Sequence, residues 1–130
     1  MIDERPGIML CDDLIFFSRV ASAARAAGLT VKQARTPAEV LKLAANTPPG
    51  GVLVDLHNDT LDLPAFLVAL KETCAVMPRV VAFGSHVDAE RLKAARAAGC
   101  DRVLPRSKFV EELETDLAAW FTPPGEPRQS

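Results

Sequence analysis

Short apolar runs alternate five times with longer stretches in which apolar residues recur at helical spacing. The runs read as strands at about residues 7–11, 29–34, 51–55, 79–83 and 101–105. The stretches between and after them read as helices at about 13–27, 37–46, 63–74, 88–98 and 109–121. Apolar strands alternating with helices of this length predict βαβ units and a parallel sheet. Right-handed crossovers then place helices on both faces.

Local signals set the boundaries. Thr36-Pro37-Ala38-Glu39 is a capping box with proline at the first helical position. Asp88 is a natural N-cap for the fourth helix, and Ser107 for the fifth. Gly28 and Gly99 each follow a helical stretch and suit a left-handed C-terminal turn. The segment Ala23-Ala24-Arg25-Ala26-Ala27-Gly28 recurs as Ala94-Ala95-Arg96-Ala97-Ala98-Gly99, a shared way of packing a small-residue helix end and stopping it. On the last helix Val110, Leu113, Leu117, Trp120 and Phe121 share one face. On the first, Phe17, Val20, Ala21 and Ala24 form the expected buried stripe, which turns Ile15 or Phe16 outward. Proline and polar residues from Thr122 to Ser130 predict a domain over 1–121 and a disordered tail over 122–130.

Composition narrows the class. The 130 residues are 48% hydrophobic and 25% charged, which suits one globular domain with a sizeable core. A net charge of -2 gives no electrostatic footprint for nucleic acid or an anionic membrane. Three cysteines, Cys11, Cys74 and Cys100, are odd in number and widely spaced, as expected of a reduced, cytoplasmic setting. No leader peptide and no run of membrane-spanning length is apparent in the sequence.

Acids at the strand ends carry the chemistry. Gly7-Ile8-Met9-Leu10-Cys11 runs into Asp12-Asp13, and Gly51-Val52-Leu53-Val54 runs into Asp55. Neighbouring strands lie about 4.8 Å apart, so side-by-side runs bring three carboxylates to one sheet edge. Their mutual repulsion calls for a proton or a cation, and oxygen ligands favour a hard divalent ion such as magnesium. In open α/β sheets that edge is where ligands bind. The other loops there are Phe83-Gly84-Ser85-His86 and Leu104-Pro105-Arg106-Ser107.

This layout, over about residues 6–121, resembles the receiver domain of bacterial two-component response regulators. The resemblance implies a flavodoxin-like, three-layer doubly wound fold with a five-stranded parallel sheet of order 2-1-3-4-5. It implies that Asp55 is the phosphoacceptor, and that Asp12, Asp13, Asp55 and the His57 backbone carbonyl hold Mg2+. A sensor kinase or phosphotransfer protein would dock near Ile15 and Phe16. A downstream protein or a second copy would use the face of the fourth helix, fifth strand and fifth helix, where Glu90, Arg91, Lys93 and Arg96 supply charge. With only a nine-residue tail after the domain, output is expected through protein contact, without nucleic acid, membrane or enzymatic turnover.

The chain departs from the family pattern at three places. Gly84 stands where receivers carry a hydroxyl after the fourth strand, with Ser85 next to it. The lysine position holds Pro105 or, one residue on, Arg106, and arginine is not interchangeable with lysine. Arg102 replaces the fifth-strand aromatic. Ser85 and Arg106 are the stand-ins for contacting a phosphoryl group. The same departures suit a pseudo-receiver, an interaction module that works without phosphorylation. His57, His86 and Cys11 also reach the rim, but none share ligand spacing on one element, so ordinary loop roles are simpler. A flavin or nucleotide enzyme would need a phosphate-cradling Gly-rich loop, and the sequence has none.

Overall fold

The computed structural model describes residues 5–125. Five strands, β1 (Gly7–Leu10), β2 (Val31–Ala34), β3 (Gly51–Asp55), β4 (Arg79–Gly84) and β5 (Arg102–Pro105), alternate with five helices. These are α1 (Leu14–Ala26), α2 (Pro37–Asn46), α3 (Leu63–Thr73), α4 (Ala89–Ala98) and α5 (Arg106–Trp120). All pairings are parallel, in the order β2-β1-β3-β4-β5. The expected architecture is therefore the observed one.

Alternation along each strand feeds two cores. Ile8, Leu10, Val52, Val54, Val80 and Ala82 face α2, α3 and α4, whose Val40, Phe66, Leu70 and Leu92 complete one layer. Met9, Leu53, Val81, Phe83 and Leu104 face α1 and α5. A sheet covered on both sides needs strands that are apolar at every position, which is why β1 and β4 carry so little polarity.

Two helix expectations need correction. On α1 the buried stripe is Phe16, Val20 and Ala24, with Phe16 only 6% exposed and Ile15 84% exposed. Phe17 is only partly buried. The stripe therefore sits one residue earlier than predicted, because Phe16 fits between the rings of Phe83 and Phe109 at 5.4 and 5.9 Å. α5 begins three residues earlier than predicted, directly after Pro105, so Ser107 lies within its first turn and does not cap it. Phe109, fully buried, joins Leu113, Leu117 and Trp120 on the packed face, a position the predicted stripe did not include.

The other caps follow the sequence. Thr36 Oγ1 accepts the Glu39 N–H, and Asp88 Oδ1 accepts the Arg91 N–H. Gly28 and Gly99 take positive φ angles of 77° and 108°, which glycine alone adopts without a side-chain penalty. At the N-terminal edge of the sheet, Trp120 and Phe121 cover Gly51, Gly50 and Gly7 closely enough that a Cβ on any of them would meet backbone or ring. Within the predicted tail, the Thr122 carbonyl accepts from Arg79 Nε at 2.9 Å and Pro123 is buried; residues 126–130 lie outside the described residues.

Candidate functional site at the C-terminal edge of the sheet

β1 and β3 are hydrogen-bonded neighbours, with Leu10 opposite Val54. One residue further, Cys11 comes to Asp55: its Sγ lies 3.9 Å from Asp55 Oδ2. Burial pushes the Cys11 thiol up to about 11, and the Asp55 and Asp13 charges add to that. A thiol so protonated at neutral pH is a poor nucleophile.

Asp12 and Asp13 follow in the β1–α1 loop, and each is already engaged. Asp13 is the N-cap of α1, its Oδ1 accepting the Phe16 N–H at 3.0 Å. Its Oδ2 lies 3.6 Å from Arg106 Nη2. The helix N–H, and then the Arg106 charge, hold the Asp13 carboxyl below its ordinary value. Asp13, and not Asp12, is therefore the residue that caps α1. Asp12 Oδ2 takes a longer contact of 3.4 Å from Asn58 Nδ2.

Across the site, Asp55 Oδ1 accepts the His57 N–H at 2.9 Å. The His57 ring reaches on to the residue just past β4, where Nε2 accepts the Ser85 N–H at 3.0 Å. Ser85 Oγ accepts the Val87 N–H and shapes the turn into α4. Arg106 enters from the start of α5, its guanidinium 3.9 Å from the centre of the Phe16 ring. Asp55, His57, Phe83, Gly84, Ser85, His86, Arg106 and Ser107 line one pocket of about 290 Å³. The structure therefore brings the nominated Asp55, Ser85 and Arg106 to a common cavity. His86 lines it too, so both histidines are rim residues.

The three carboxylates share the edge without converging. Among the described residues, no three His, Cys, Asp or Glu side chains are grouped to hold a metal ion. The donor chemistry, carboxylates with an adjacent carbonyl, suits a hard cation. The arrangement is not one closed around an ion, since Arg106 stands at the Asp13 oxygen that such an ion would need.

Three residues support the site that the sequence did not nominate for it, one of them, Arg91, having been assigned to the output face. Asn58 is buried; its Nδ2 donates to the Arg35 carbonyl at 2.9 Å, and its Oδ1 accepts from Thr60 N and Oγ1. Gln33 Nε2 donates to the Cys11 carbonyl at 2.9 Å. Arg91 Nη1 donates to the Leu56 carbonyl at 2.8 Å, tying α4 to the loop that follows Asp55. Their partners lie on other elements, so nothing in the local pattern marks them; only the polarity of the Asn58 loop was visible.

No family profile matches the chain, and no curated protein does. Solved structures do. One is a putative response regulator from Chloroflexus aurantiacus, with a TM-score of 0.76 at 16% identity, covering 92% of this chain and 98% of that one. Another is a Burkholderia pseudomallei response regulator solved with a phosphorylated aspartic acid, a calcium ion and citrate, with a TM-score of 0.69 at 20% identity over 89% of this chain and 70% of that one. A third is the Saccharomyces cerevisiae co-crystal of a histidine phosphotransfer protein with the receiver domain of its downstream response regulator, with a TM-score of 0.73 at 14% identity over 93% of this chain and 92% of that one. The chain has the fold of response-regulator receiver domains.

Proposed function

We propose that this domain is a phosphorelay receiver that accepts a phosphoryl group on Asp55 and signals by protein contact. The observation that carries the reading is the Asp55 carboxylate at the end of β3, opening into a pocket shared with Ser85 and Arg106. Oδ1 accepts the His57 N–H at 2.9 Å and Oδ2 takes only the long 3.9 Å contact from Cys11 Sγ, so Oδ2 is the less engaged oxygen and the one to attack. It would form the new O–P bond as the bond from phosphorus to the donor's leaving oxygen breaks, that oxygen departing with the electron pair. Arg106, half exposed and lining the same pocket, would supply a positive donor for the phosphoryl oxygens on leaving Asp13, which frees that carboxylate for a cation. A divalent cation held by Asp12, Asp13, Asp55 and the His57 carbonyl would neutralise charge between acceptor and phosphoryl group.

The test is intact mass after incubation with magnesium and acetyl phosphate. One added phosphoryl group on the wild type and none on Asp55→Asn is expected. An unchanged mass with this donor and with a phosphotransfer protein would retire the reading. Magnesium is also expected to raise the melting temperature at neutral pH by binding the folded state, and Asp13→Asn to remove most of that gain. Equal melting temperatures with and without magnesium would remove the metal from the account.

The docking face for a phosphotransfer protein would centre on Leu14 and Ile15, exposed beside the acids, and exclude Phe16, which is buried. Output to a partner or a second copy would use α4, β5 and α5, where Arg102 makes a bidentate pair with Glu112. A second reading, a pseudo-receiver acting without phosphorylation, is favoured by two observations: Gly84 supplies no hydroxyl and Arg106 is already engaged by Asp13.

A further inference from the structure

We propose that the His57 side chain gates the Asp55 pocket by holding the backbone donor that an incoming phosphoryl oxygen needs. The proposal rests on the reading that Asp55 is the phosphoacceptor. His57 touches both sides of the pocket: its N–H donates to Asp55 Oδ1 at 2.9 Å, and its ring Nε2 accepts the Ser85 N–H at 3.0 Å. The strands beneath are paired, with Asp55 opposite Phe83, so Ser85 stands two residues past that register on the neighbouring strand's exit.

A tetrahedral group on Asp55 carries three oxygens that need donors. Among the pocket-lining residues, the Arg106 guanidinium and the Ser85 N–H can provide them. The Ser85 N–H is taken by the imidazole. A Cβ on Gly84 would meet His57 Nε2 at 3.4 Å, an ordinary van der Waals contact, so the ring packs directly beside the residue that lacks a side chain. The ring is exposed and is tied across the pocket through this one hydrogen bond, so it can swing clear without unfolding the loop.

Opening must break one neutral hydrogen bond, which sets the expected effect at roughly two- to tenfold in rate. The step is attack of Asp55 Oδ2 on the phosphorus of acetyl phosphate, with cleavage of its P–O bond and departure of acetate. His57→Ala should be phosphorylated faster than wild type by about that factor, read by intact mass over time. His57→Gln, which keeps an acceptor, should fall back toward the wild-type rate. Amide hydrogen exchange at Ser85 should be slow in the wild type and faster in His57→Ala. An unchanged Ser85 exchange rate, or a His57→Ala variant modified no faster than wild type, overturns the gate while leaving Asp55 as acceptor. No mass gain on any of the three proteins overturns the phosphoacceptor reading, and the gate with it.

Discussion

Asp13 is engaged at both carboxylate oxygens, by the α1 backbone and by Arg106. Its depressed pKa makes its contribution depend on pH with a definite sign. Below the ordinary aspartate value of 3.8 the unfolded chain binds the proton that the folded state still refuses. Its stabilisation is therefore complete at neutral pH and is lost as the pH falls through that window. Glu112, held down chiefly by its hydrogen bonds from Arg102, behaves in the same sense. Acid titration of the unfolding free energy should show a shallower fall for Asp13→Asn than for wild type; parallel curves would mean that the cap and the ion pair contribute nothing. Asn58 offers a pH-independent counterpart. Its removal strands the Arg35 carbonyl and frees Asp12, so Asn58→Ala should cost about 1–3 kcal/mol in denaturant unfolding.

α1 and α5 meet through aromatic rings. Phe109 lies 4.4 Å from Phe83 and 5.2 Å from Trp120, centre to centre, with Phe16 beside it. Phe109→Ala should lower stability by about 3–5 kcal/mol, measured by denaturant unfolding; a loss under 1 kcal/mol would show that the stack is not the core of this layer. This stack is also where the sequence was least legible. The existence and order of all ten elements followed from alternation and caps, since each signal is local. The phase of α1 did not: Phe16 and Phe17 both continue a helical stripe through Val20 and Ala24, and the choice is made by rings on β4 and α5. The start of α5 was missed because Pro105 ends β5 and also serves as the N-cap residue, without the side-chain cap that marks the other helices. The acids were legible because they interrupt apolar strands. Their separation was not, since Arg106 and Asn58 reach them from other elements.

The two edges of the sheet carry different burdens. At the N-terminal edge, Trp120 and Phe121 close over glycines that admit no side chain, and Arg79 ties down Thr122. At the opposite edge lie the acids, Arg106 and the pocket. Gly51→Ala would drive a methyl group into the Trp120 carbonyl. It should lower the melting temperature while leaving phosphorylation per folded molecule unchanged; a variant as stable as wild type would contradict the close packing there. No helix among the described residues is long and apolar enough to cross a membrane. The central claim is that the chemistry belongs to the tip of β3. Tandem mass spectrometry on a digest of the phosphodonor-treated domain tests it most directly. The account predicts the added phosphoryl group on the peptide bearing Asp55 and on that residue. A modified peptide from elsewhere in the chain, with the Asp55 peptide unaltered, would contradict it.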